Sequence, residues 1–257
     1  MSCNSQTEVT LSFTPLGFMD TKKYNKKIAI VVVKDHGSAG CSTKLDFLKE
    51  LWKHACYRTI VNLDTKPSSC NWLKKLETGS FLYFNDGKFD SLSIEANSTM
   101  LSAQKTDTEG ITNLNLCLDH IVSVINMKKC AATEILIVST GVRTTTDVIE
   151  YLRIMYSAQN AAKIALPISV VVSESFISVL PKGSSNLAVG TGFEGKWCGL
   201  LPFGGEIVAT TKGLKWNLTE NILQYNQLIS TSNELDGSGI VLIKSNLPVV
   251  WTQGIKF

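Results

Sequence analysis

The sequence predicts an α/β protein in which a parallel, layered α/β domain over residues 26–172 is followed by an antiparallel β-sandwich over residues 173–257. Three observations carry the prediction. Continuous apolar, β-branched runs recur through the first part, as expected of strands buried on both faces. Segments with apolar residues at helical spacing separate those runs. Beyond residue 172, glycines and prolines cut the chain into short runs of strand formers.

Residues 1–25 read as a polar lead segment, in which FTPLGF offers aromatics that tack it to the surface. Lys22, Lys23, Lys26 and Lys27 form a charged, solvated entry to the first buried strand, Ile28–Val33. Residues 43–55 set Leu45, Leu48, Leu51, Trp52 and Ala55 on one helical stripe, and a strand follows over residues 59–63. Leu114, Leu118, Ile121, Val122 and Ile125 mark a second helix over residues 114–125, ahead of a strand over residues 134–138. A threonine run able to cap a helix precedes a third, over residues 147–162, and Ile168–Val172 closes the alternation. Strand and helix alternating in this way argue for a parallel sheet covered by helices. From Phe176 onward the breaks fall at Pro181-Lys182-Gly183, residues 190–195, Gly204-Gly205 and Asp236-Gly237. Leu214, Trp216 and Leu218 alternate with Lys215 and Asn217, which predicts an extended strand with the apolar side chains on one face. Asp236-Gly237 predicts a hairpin turn between LIST and IVLI. On pattern alone, Trp216 is a core tryptophan, and Asn217, Ser230, Ser232 and Asn233 belong to a solvated strand face or a turn.

Composition narrows the function classes. The 25 basic and 22 acidic residues give a formal charge of +3, too small and too dispersed for a nucleic-acid surface. The seven cysteines form no CxxC pair and have no histidine at zinc-site spacing, which fits a reducing compartment and a cytoplasmic location. MSCNSQTEV at the amino terminus is polar, and IAIVVV and PISVVV are far too short to span a bilayer, so neither secretion nor membrane insertion is expected. The glycosylation patterns Asn97-Ser98-Thr99 and Asn217-Leu218-Thr219 are therefore read as chance. His36, His54 and His120 stand in no catalytic or metal spacing and take ordinary surface or partly buried roles.

GLKWNL, STSN and DGSG, together with the upstream EGKWCGLLP and the stretch from Pro248 to Thr252, closely resemble the thiamine-binding carboxyl-terminal domain of thiamine pyrophosphokinases. The resemblance implies that the tryptophan of GLKWNL, Trp216, stacks on thiamine across a dimer interface. It also implies Asn217, Ser230, Ser232 and Asn233 as polar groups around the vitamin. The physics agrees, because a thiazolium cation over an aromatic face gains roughly 0.5–2 kcal/mol. The family transfers a pyrophosphoryl group from Mg-ATP to thiamine, giving thiamine diphosphate and AMP, so the resemblance also implies Mg and ATP for an active member.

The amino-terminal half resembles the family in layout, through LWKHACYRT and the fragment Phe89-Asp90-Ser91, but departs from it in the catalytic motifs. Where the family has DGGAN, this chain has Asn62-Leu63-Asp64-Thr65-Lys66; GDFDS becomes Gly87-Lys88-Phe89-Asp90-Ser91. DQDxTDxxK becomes residues 108–116 with no aspartate or lysine in register, and GGxxGRxD becomes residues 140–147, keeping Gly141 and Asp147. Asp90 and Asp147 are the remnants of the catalytic set, Asp90 also of the metal set. A lysine beside them opposes a magnesium ion, which needs one or two carboxylates. The first expectation is therefore a thiamine-binding homologue without Mg-ATP chemistry, a homodimer or the partner of an active relative in a heterodimer. The alternative is an active enzyme using displaced groups from Asp64, Asp86, Asp90, Asp107, Arg143 and Asp147. The third is an interaction module without ligand.

Overall fold

Six consecutive aliphatic residues with no polar break leave Ile28–Val33, strand β2, able to sit only where both faces are covered. All six are buried in the computed structural model. That model describes residues 10–20, 23, 26–33, 45–61, 80–85, 88–93, 113–140, 145–161 and 166–257. The chain forms two compact units, one of Phe18–Ser173 and one of Met1–Gly17 with Glu174–Phe257.

In the first of these, β2 pairs in parallel with β3 (Tyr57–Val61) on one side and β6 (Glu134–Ser139) on the other. β7 (Ile168–Val172) extends the sheet beyond β6, and β4 (Ser80–Asn85) extends it beyond β3, both in parallel. β5 (Lys88–Ser93) then runs antiparallel to β4. The β4–β5 pair was not legible as strand in the sequence. The helices are α1 (Leu45–His54), α2 (Asn113–Asn126) and α3 (Thr145–Ala161). Leu48, Leu51 and Trp52 of α1 and Leu114, Leu118 and Ile121 of α2 are buried, as the helical stripes require. Arg58 closes α1 by donating from Nε to the Trp52 carbonyl at 2.5 Å and from its terminal nitrogen to Lys53 at 3.0 Å. His54 Nδ1 lies 2.8 Å from the Glu50 carbonyl. Tyr57 Oη and His120 Nε2 meet at 2.9 Å, and burial pushes the tyrosine up to about 12 and the histidine down. His36 lies outside the described residues.

The other unit is all β. One sheet has the order β1-β9-β14-β11-β12, from β1 (Thr10–Phe13), β9 (Gly183–Ala188), β14 (Ile240–Ser245), β11 (Ile207–Lys212) and β12 (Asn221–Leu223). The second set runs β13-β10-β15-β8, from β13 (Ser230–Asn233), β10 (Glu194–Pro202), β15 (Val249–Ile255) and β8 (Ser175–Leu180), antiparallel throughout. β14 alternates exposed and buried along its length, the signature of a sheet with one face on a core. Trp251 on β15 is fully buried and donates from Nε1 to Gln253 at 3.1 Å.

Three expectations change. Part of the polar lead is strand: Leu11 and Phe13 alternate inward, and β1 adds in parallel to β9. That pairing makes the sandwich's first sheet mixed rather than purely antiparallel. The segment holding Leu214, Trp216 and Leu218 is a loop, not a strand, with one isolated bridge from Leu214 to Leu235. Asp236-Gly237 does turn the chain, with Gly237 at φ 88° and Asp236 Oδ1 accepting from the Ser238 amide at 2.8 Å. It does not make a hairpin, because β13 pairs with β10 while β14 pairs with β9 and β11. Among the described residues no helix is long and apolar enough to cross a membrane.

Candidate functional site

The loop between β11 and β12 starts at Gly213, whose φ of 89° and closeness to the Ile240 carbonyl leave no room for a Cβ. Leu214 and Leu218 drop into the core, at 2% and 8% exposure, and pin the loop at two points. Thr211, buried at the end of β11, fastens it from below. Its amide donates to the Leu218 carbonyl at 2.9 Å, and its hydroxyl accepts from the Leu218 amide at 2.8 Å. Asn217, itself exposed, bonds back onto the same loop, Oδ1 accepting from the Leu214 amide at 3.1 Å and lying 3.4 Å from Thr211 Oγ1.

Between these anchors, Trp216 points outward and is 53% exposed. Its backbone is held from both sides by Asn233, which is itself only 4% exposed. Asn233 Oδ1 accepts from the Trp216 amide at 3.2 Å and Nδ2 donates to the Trp216 carbonyl at 2.8 Å. The same side chain accepts from the Glu234 amide at 2.9 Å and donates to Ser230 Oγ at 3.3 Å. A primary amide offers two donors and two acceptor lone pairs, so Asn233 is filled by these bonds. It is a positioning residue that sets the tryptophan on the surface. Core burial, which the pattern favoured for Trp216, is thereby corrected.

The ring already carries a cation. Lys215 Nζ lies 4.5 Å from the Trp216 ring centroid and 3.0 Å from Glu234 Oε2. Lys215 and Glu234 are about half exposed, so the ion pair contributes little stability. β13 borders the loop through Asn233 and presents Thr231 and Ser232 to solvent, with Ser230 half-exposed. Tyr225 and Leu228, in the turn after β12, are exposed at 65% and 40%. Sequence reasoning named Trp216, Asn217, Ser230, Ser232 and Asn233 but missed Thr211, Lys215 and Glu234. Lys215 was assigned to the opposite strand face, which a loop does not have. Buried Cys198, opposite Asn233 on β10, is pushed up to about 12 by burial, with the Glu234 carboxylate adding to the effect.

The nucleotide-side remnants are placed only in backbone. Asp90 stands on β5 in register with Tyr83, and Asp147 is in the first turn of α3. Asp64, Asp86, Asp107 and Arg143 lie outside the described residues. Among the described residues no three acidic, histidine or cysteine side chains come together as a metal site.

The family model described as "Thiamin pyrophosphokinase, vitamin B1 binding domain" matches residues 181–250, which contain the whole Trp216 loop and β13. The chain is 34% identical over 92 residues to thiamine pyrophosphokinase 3 of Oryza sativa subsp. japonica, covering 35% of this chain and 34% of that one. It is 35% identical over 81 residues to thiamin pyrophosphokinase 1 of Caenorhabditis elegans, covering 31% and 33%. The chain thus spans only about a third of the length of the curated relatives it matches. The fold reaches further: the thiamin pyrophosphokinase structure from Candida albicans aligns at TM-score 0.64 and 10% identity over 100% of this chain and 96% of that one. The yeast structure aligns at 0.64 and 12% identity, over 99% and 94%. Residues 181–250 are thus similar in sequence to the vitamin B1 binding domain of thiamin pyrophosphokinases, and the chain is similar in fold to solved thiamin pyrophosphokinase structures.

Proposed function

We propose that this chain binds thiamine on the surface made by the Trp216 loop and β13, and that it does so without transferring pyrophosphate. The observation that carries the reading is Trp216, held outward at both backbone groups by a buried amide within a vitamin B1 binding domain. A large aromatic fixed in the open costs hydration unless something covers it, and thiamine offers a flat pyrimidine and a cationic thiazolium. Lys215 occupies the ring as a cation does, so the thiazolium takes another approach to the ring or displaces the lysine. Ser230 and Ser232 supply hydroxyls for the pyrimidine; Asn217 and Asn233 act by shaping the loop.

The doubt about catalysis stands on the sequence. Lys88 replaces a carboxylate beside Asp90, and the motif at residues 108–116 retains neither aspartate nor lysine in register. Removing one preorganised electrostatic contact costs roughly a hundredfold or more in rate, and several are gone here. Mg and ATP belong to this reading only as family chemistry. A second copy of the chain is the expected cover for the site: Trp216, Tyr225 and Leu228 are all exposed, as are Ile240 and Leu242 on β14. Sedimentation of the purified chain, alone and mixed with an active relative, separates homodimer, heterodimer and monomer.

The active-enzyme reading has one observation in its favour: the fold alignment extends over both units, including the strand and helix that carry Asp90 and Asp147. AMP release from Mg-ATP and thiamine decides between the two. The pseudoenzyme reading predicts thiamine binding with AMP no higher than a boiled control. Turnover abolished by Asp90→Ala and Asp147→Ala would establish the enzyme instead.

A further inference from the structure

At the edge of the α/β unit where β3 begins and the chain approaches β6, two thiols meet. Cys56 Sγ and Cys130 Sγ are 3.5 Å apart, although 74 residues separate them in sequence. Their segments are held on either side of the start of β2. The Cys56 amide donates to the Ile28 carbonyl at 3.0 Å, and the Thr133 amide donates to the Lys27 carbonyl at 2.7 Å. Cys56 Sγ also donates to the Ile28 carbonyl, at 3.3 Å. Cys56 is exposed, whereas Cys130 is 9% exposed and sits behind it. The other described cysteines, Cys117 and Cys198, are buried.

We propose that Cys56 and Cys130 form a modification site, a dithiol that exchanges with small disulfides such as oxidised glutathione and closes into an intramolecular disulfide. The exposed Cys56 thiolate attacks one glutathione sulfur, breaking that disulfide, forming a mixed disulfide and releasing one glutathione thiolate. Cys130 then attacks Cys56 Sγ, which forms the Cys56–Cys130 bond and expels the second glutathione. The two protein thiols are oxidised by two electrons, and glutathione disulfide is reduced to two thiols that take up the two protons. Bond formation requires the sulfurs to close from 3.5 Å to about 2.05 Å, and rotation of the exposed Cys56 side chain is the available movement. The product ties the start of β3 to the approach to β6 across β2.

The chemistry also sets the speed. Burial, followed by the hydrogen bond and charge of Cys130, pushes the Cys56 thiol up to about 12, so little thiolate exists at neutral pH. Closure is therefore slow near neutrality and accelerates about tenfold per pH unit over the range below that value. This behaviour suits a site that records sustained oxidation, not a fast peroxide sensor.

The test uses the full chain incubated with oxidised glutathione at mildly alkaline pH, followed by alkylation and peptide mapping. The wild type is expected to yield a linked Cys56–Cys130 peptide without bound glutathione, restored to two thiols by dithiothreitol. Cys130→Ser should hold glutathione stably on Cys56, and Cys56→Ser should leave Cys130 alkylated as a free thiol. Near-UV circular dichroism of each protein before oxidation checks that the fold is intact. A wild type that keeps glutathione on Cys56, or leaves both cysteines unmodified, would overturn the proposal. So would glutathione on Cys130 in Cys56→Ser.

Discussion

Asn233 decides what Trp216 can do. Four hydrogen bonds converge on one buried amide, two of them on the tryptophan's own backbone, so the ring is presented by an almost rigid support. Asn233→Ala leaves those backbone groups without their partner and should cost roughly 1–3 kcal/mol of stability, read from denaturant midpoints. Asn233→Asp keeps the acceptor and loses the donor to Trp216, so its loss of thiamine affinity should exceed its loss of stability. Unchanged affinity in Asn233→Asp would remove the positioning role. Lys215 acts in the opposite direction, as a cation already on the ring. Lys215→Met should tighten thiamine binding by about two- to fivefold, the effect of an exposed cation–π contact of 0.5–1 kcal/mol. Calorimetric titration checks it, and weaker binding would show that Lys215 helps the ligand instead. Glu194 gives a pH signature. Burial alone would raise its carboxyl, but hydrogen bonds from the Thr191 hydroxyl and amide and the Gly190 amide outweigh burial and hold it below its ordinary 4.5. A depressed folded-state pKa contributes stability above the unfolded value that is lost as pH falls through the folded one. Melting temperature should therefore drop more steeply below pH 4.5 in the wild type than in Glu194→Gln. Parallel curves would contradict this account of the loop.

At the scale of elements, the periodicities that were legible were those with a single physical cause. IAIVVV has nowhere to go but a doubly covered strand, and the leucine stripes of α1 and α2 bury as written. The Trp216 segment misled because alternation along five residues fits both a strand and a loop pinned by its first and last members. Leu214 and Leu218 do bury, as alternation requires, while Trp216 between them turns out because Asn233 and Thr211 hold the backbone elsewhere. Those partners are seventeen residues downstream and five upstream of Trp216, beyond any local pattern. DGSG likewise reads as a hairpin turn locally, yet the strands it joins choose different neighbours. β1 was hidden because a four-residue strand in a polar segment carries only Leu11 and Phe13 as signal. The loop's entry also has an element-level consequence. Gly213→Ala places a side chain at φ 89° against the Ile240 carbonyl and should cost at least about 1–2 kcal/mol, visible in thermal melts. A neutral result would mean the β11 exit is softer than its geometry implies.

Over the whole molecule, the two units are similar to thiamine pyrophosphokinases to different degrees. Residues 181–250 match a vitamin B1 binding domain, while the α/β unit resembles the family in fold. Under the proposed function, one exposed aromatic and a few hydroxyls suffice to bind the vitamin, whereas transfer needs a metal and several charges in register. The candidate site residues rest on their resemblance to a known block, not on burial or spacing. In the structure, Asn217 and Asn233 bond to the backbone of the Trp216 loop. The most direct test of the account is a calorimetric titration of thiamine into the full chain and into Trp216→Ala. The account predicts saturable binding by the wild type and affinity reduced at least about fivefold in the variant, with the fold intact. Equal affinity in the two proteins, or no binding by the wild type, would contradict it.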